Sequence, residues 1–146
     1  MLRTIGFKER RYIEELRILT KSIGLDCIID DQFDRVIYVI KKGDMGMAIG
    51  KNGDNIKKMQ KVLGKRIEMV EEAGEPEEFI RNILKPADIA EIVCDNERKY
   101  NVIVRKKSDL GIAIGKGGAN IEKARILSRR FFGIEIGDII HKEEGQ

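Results

Sequence analysis

One stretch of this chain is written twice, and that repeat constrains the fold more than any other feature. Residues 37–59 read IYVIKKGDMGMAIGKNGDNIKKM and residues 102–124 read VIVRKKSDLGIAIGKGGANIEKA. The two align without a gap at an offset of about 65, with thirteen of the twenty-three positions identical. At the centre of each lies a Gly-x-x-Gly turn, Gly50-Lys51-Asn52-Gly53 and Gly115-Lys116-Gly117-Gly118. A chain of 146 residues holds one medium domain or two small ones. The repeat decides for two, residues 1–74 and residues 75–146. Halves of this size are near the lower limit for an independent core, so they are expected to pack against each other. The short linker at residues 72–75 points to a fairly fixed tandem.

Charge follows the repeat. The net charge is only +3. Residues 41–66, however, hold eight lysines and arginines against Asp44 and Asp54, and residues 105–130 hold eight against Asp109 and Glu122. An acidic run, Glu71 to Glu78, lies between them. Two matched basic clusters centred on one motif indicate a polyanion-binding surface rather than two solvated helix faces.

The same composition excludes other functions. His141 is the only histidine, which removes catalytic triads and His-rich metal sites. The segment from Gly46 to Lys51 falls one residue short of a nucleotide-binding loop, and Asn52 stands where Ser or Thr would hold magnesium. No enzyme activity, cofactor or metal is expected. Cys27 and Cys94 read as buried strand thiols of a reducing compartment. No apolar run approaches 18 residues and no signal pattern appears, so a soluble, cytoplasmic protein is expected, without a membrane partner and monomeric.

Periodicity supplies the elements. Apolar residues from Ile5 to Ile23 recur at helical spacing, with Gly24 as the stop. Residues 26–30 and 36–40 read as strands joined by a polar turn. A short helix over 44–49, with Asp44 as its N-cap, leads into the glycine turn. A second helix follows over 54–63, with Ile56, Met59, Val62 and Leu63 inward, and residues 66–70 form a last strand. The second half repeats this order: a helix over 76–84 opened by Pro76, strands at 89–94 and 100–104, helices at 109–114 and 118–132, and a strand at 134–136. About two extra residues are expected near Phe131, and a frayed tail from His141 to Gln146. Each half is thus α+β, a small sheet covered by helices.

A Gly-x-x-Gly turn with a lysine inside it, followed by a helix, suits a phosphodiester. The glycines permit close backbone approach, and the helix offers free amides and the positive end of its dipole. Asp54 follows the first turn and Ala119 the second, so the second turn is expected to be the more permissive. Asp54 is also a candidate helix cap.

The pattern Ile-Gly-Lys-x-Gly-x-x-Ile, at 49–56 and 114–121, resembles that of the KH domain. A helix ahead of the first strand resembles the type II, prokaryotic arrangement, in which a three-stranded mixed sheet is covered on one face by helices. The tandem pair, together with the segment from Phe79 to Ala87, is similar to the two KH domains of the NusA transcription termination and antitermination family, in particular its short archaeal members. No amino-terminal polymerase-binding domain or S1 barrel is expected in this length. The resemblance implies that Gly50, Lys51, Asn52 and Gly53 grip one segment of single-stranded RNA, the nascent transcript, and that Gly115, Lys116, Gly117 and Gly118 grip another. RNA polymerase or other transcription factors are implied as further partners. Ile49, Ile56, Ile114 and Ile121 flank the turns, as core or as base contacts, and Lys57, Lys58 and Lys123 are candidate phosphate contacts. A KH-fold scaffold for proteins and a single-stranded DNA module remain the alternatives.

Overall fold

The computed structural model describes residues 3–142. It divides into two compact units that separate in sequence between Ala73 and Gly74. In the first, helix α1 (Phe7–Thr20) precedes strands β1 (Gly24–Asp30) and β2 (Arg35–Ile40), then helix α2 (Met45–Ile49), a turn of 3-10 helix at Lys51–Gly53, helix α3 (Asp54–Leu63) and strand β3 (Arg66–Glu71). The second repeats the plan with α4 (Pro76–Leu84), β4 (Ile89–Cys94), β5 (Lys99–Val104), α5 (Lys107–Ile114), a 3-10 turn at Lys116–Gly118, α6 (Ala119–Phe132) and β6 (Glu135–His141). Each sheet has three strands, in the order β1-β2-β3 and β4-β5-β6. The first pair of strands is antiparallel and the second parallel in both. The class is therefore α+β with two mixed sheets, and the parallel crossover is what carries the helix-turn-helix segment over the sheet.

In the first unit Tyr12 and Leu16 of α1, Val36, Tyr38 and Ile40 of β2, Ala48 and Met59 form one apolar core with Cys27 and Ile67. The Tyr38 hydroxyl donates to the Tyr12 carbonyl at 2.8 Å, tying sheet to helix. Burial pushes the Cys27 thiol up to about 12 and raises the Tyr38 phenol as well. At the β1–β2 turn the fully buried Arg35 donates to Asp30 at 2.7 Å, pairs with Glu68 at 3.4 Å and lies against the Phe33 ring at 4.8 Å, so one guanidinium joins all three strands. In the second unit α4 packs on α6, with the buried Phe79 ring 5.1 Å from Phe131 and 5.6 Å from Phe132.

The structure corrects several expectations. Helix α1 ends at Thr20, because Lys21 takes the left-handed conformation at φ 64° and its N–H donates to the Arg17 carbonyl; Gly24 opens β1 instead. Val62 is 52% exposed rather than inward, and Cys94 is exposed while Cys27 is buried. Asp44 precedes α2 but makes no capping bond; its carboxylate accepts the Ile23 N–H at 2.9 Å. Asp109, inside α5, likewise accepts the Asp88 N–H at 3.2 Å, but it also caps its helix by accepting the Lys106 N–H at 3.2 Å. Asp54 is the first residue of α3 and does not cap it. His141 belongs to β6, opposite Val104, so the final strand is more than twice the expected length; residues 143–146 of the expected tail lie outside the described residues.

The ungapped alignment of the repeats also fails in one place. Gly24 pairs with Ile40 and Ile89 with Val104. The strands β2 and β5 thus correspond at an offset of 64, whereas β1/β4 and the glycine turns correspond at 65. One residue is inserted between β5 and α5, and α5 has eight residues where α2 has five. Because side chains alternate faces along a strand, the ungapped alignment would have matched the inward Tyr38 to the wrong face of β5. The later insertion is four residues, not two, since α6 has fourteen residues and α3 ten. Four residues are close to one helical turn, so the chain re-enters the sheet from the same side.

Candidate nucleic-acid interface

The two turns are copies in three dimensions. Gly50 and Gly115 share φ 78°, with ψ 168° and 166°. Asn52 stands at φ 57° and Gly117 at φ 64°; Gly53 and Gly118 follow at φ 74° and 84°. Two consecutive left-handed residues make the sharp reversal, and asparagine is among the few side chains that tolerate the first of those places. In each copy the last glycine's N–H donates to the first glycine's carbonyl at 3.1 Å.

The need for the first glycine is steric. A Cβ on Gly50 would lie 2.8 Å from the backbone nitrogen of Asn55, and one on Gly115 would lie 2.8 Å from that of Asn120. These asparagines carry a role that the sequence reading did not assign. Asn55 Nδ2 donates to the Met47 carbonyl at 2.7 Å, and Asn120 Nδ2 donates to the Ile112 carbonyl at 2.7 Å. Each bond latches the helix after the turn to the helix before it and satisfies a carbonyl at a helix end. The signal was present, an identical asparagine in both copies, but its partner is eight residues back. Replacing Asn55 or Asn120 by alanine is expected to lower unfolding stability by about 1 kcal/mol per latch and to weaken nucleic-acid binding at that turn; chemical denaturation and an oligonucleotide titration check the two effects.

Of the expected contact residues, Lys51, Asn52, Lys116 and Gly117 stand exposed at the turn tips, with Gly50, Gly53, Gly115 and Gly118 half-buried behind them. Ile49, Ile56, Ile114 and Ile121 are half-buried, and Ile56 packs on the first core. Lys57 and Lys58 are exposed, but Lys123 is buried at 8% exposure, which takes it away from the surface where a phosphate would arrive. Two apolar residues were missed: Met47 is 47% and Ile112 40% exposed, one on each helix leading into a turn. Hydropathy alone places such residues inside.

Each unit therefore holds a lysine-bearing glycine turn between two helices beside a three-stranded sheet, which is the class of the KH domain. Residues 9–73 match the KH domain family, and residues 76–144 match the NusA-like second KH domain. The probable transcription termination protein NusA of Halobacterium salinarum is 36% identical over 127 residues, spanning 86% of this chain and 90% of that protein. That of Halococcus morrhuae is 34% identical over 133 residues, spanning 90% and 94%. The crystal structure of APE1850 matches with a TM-score of 0.78 at 32% identity, over 94% of this chain and all of that one. The chain belongs to the NusA-like family of tandem KH-domain proteins.

No helix among the described residues is long and apolar enough to cross a membrane.

Proposed function

We propose that this protein binds single-stranded RNA by gripping its backbone with two glycine turns, and that it acts on nascent transcripts in the control of transcription termination or elongation. The observation that carries the binding is the duplicated turn, reproduced within ten degrees of φ and closed by the same bonds in both units. Gly50 to Gly53 and Gly115 to Gly118 clamp phosphates through backbone amides, with Lys51 and Lys116 as the nearest cations. Met47 and Ile112 offer exposed apolar surface beside each turn for bases, and Lys57 and Lys58 add charge at the first. The transcriptional setting is supported by the relatives, which are described as transcription termination proteins. RNA polymerase and other transcription factors are the partners such a setting brings. This is a binding role rather than a catalytic one.

The test is affinity across a salt series for single-stranded RNA, the matching duplex and the matching deoxyoligonucleotide. Single-stranded RNA is expected to bind with a log–log slope steepening by about −0.7 for each phosphate contacted, and the duplex is expected to bind far more weakly. Equal affinity for the duplex would remove the backbone-clamp reading. Equal affinity for the deoxy strand would remove its restriction to RNA.

A further inference from the structure

We propose that the two turns are unequal clamps: Lys57 makes the first the tighter phosphate site, and Glu122 holds the second weaker. The inference rests on the RNA-binding reading above and adds a rank order to it.

The backbones of the turns agree so closely that geometry does not distinguish them. The charges around them do. In the first copy the Lys57 side chain folds back over the turn, with Cε 4.0 Å from the place a Cβ on Gly53 would occupy. Lys57 is exposed and engaged in no ion pair among the described residues. A phosphate held by the amides of this turn therefore meets Lys51 on one side and Lys57 on the other.

The position of Lys57 is taken by Glu122 in the second copy. Only Ile121 comes within 4 Å of a Cβ on Gly118, so no lysine takes the place there that Lys57 takes beside Gly53. The Glu122 carboxylate is paired with Arg125 at 3.4 Å, and both are partly exposed, so solvent and pairing reduce its repulsion without reversing it. At the next position the exposed Lys58 is matched by the buried Lys123. Against these stands one difference in the other direction, Asp54 opposite Ala119. Asp54 has two lysines within a single turn of α3, Lys57 and Lys58, whereas Glu122 is paired with Arg125 and also feels the charge of Arg129. The ranking is thus the reverse of what Asp54 alone suggests.

Backbone amide spectra titrated with a single-stranded uridine tetranucleotide read both sites in one sample, because the amides of Gly50 and Gly53 report the first turn and those of Gly115 and Gly118 the second. In the wild type the first set is expected to reach half-shift at a concentration roughly 3–10-fold lower than the second, as one or two exposed charges allow. The exchange Lys57→Glu with Glu122→Lys is expected to invert that order. The milder pair Lys57→Gln with Glu122→Gln is expected to bring the midpoints together, and serves if the full exchange disturbs the fold. Equal midpoints in the wild type, or an order unchanged by the exchange, overturn the inequality and leave RNA binding standing. The absence of shifts at both turns overturns RNA binding and the ranking together.

Discussion

Two aspartates in each tip, Lys51→Asp with Asn52→Asp in the first turn and Lys116→Asp with Gly117→Asp in the second, are expected to reduce affinity for single-stranded RNA by roughly 30–100-fold per turn. Each pair of changes replaces a positive tip by a doubly negative one. One unit charge about 5 Å from a phosphate is worth ~0.8 kcal/mol even at the dielectric constant of water. A swing of three charges therefore costs about 2–3 kcal/mol, and every 1.4 kcal/mol is tenfold in affinity. The fold should survive. Asn52 and Gly117 occupy left-handed backbone, which aspartate tolerates better than most residues, and both tips are exposed. Circular dichroism of each variant checks this. Flat affinity in folded variants would mean that the turns do not touch nucleic acid. A graded loss with a shallower salt slope is the result expected of a phosphate clamp.

The largest expected loss of stability comes from Phe79→Ala. The side chain is fully buried, and its ring packs against those of both Phe131 and Phe132, where α4 meets α6. Removing a buried aromatic ring costs about 3–5 kcal/mol through lost burial and the cavity left behind. Two tilted ring contacts near 5 Å add a smaller term. A unit of this size has only about 4–10 kcal/mol in total. A fall in Tm of at least about 10 °C is expected by calorimetry, with Phe79→Leu recovering much of it. A shift under 3 °C would show that α4 contributes little to the core of the second unit.

Much of this was legible beforehand, for identifiable reasons. Helices α3 and α4 and strand β4 begin and end at the expected residues, because Gly64, Pro76 and the pair Lys85-Pro86 are strong punctuation. The end of α1 was missed because its stop is a lysine in the left-handed region, which residue type does not announce. Val62 and Cys94 were placed inside because periodicity states which way a side chain faces, not whether anything covers it. The inserted residue ahead of α5 was hidden by Lys41-Lys42 aligning with Lys106-Lys107, a chance match that only the strand pairing exposes. At the candidate interface, the turns were visible as a motif. The asparagine latches, the exposure of Met47 and Ile112, the burial of Lys123 and the reach of Lys57 were not, since each depends on neighbours remote in sequence or on solvent access.

The residue that differs inside otherwise identical turns has a thermal consequence. Asn52 and Gly117 adopt nearly the same left-handed angles, but an asparagine wanders through far fewer conformations than a glycine when nothing holds it. With Gly117 beside Gly118 the second turn is expected to have the more conformational freedom for a ligand to remove on arrival. Binding there should show the more negative entropy change and should fade faster on warming. The first turn, already stiffened by Asn52, keeps more of its hold as temperature rises.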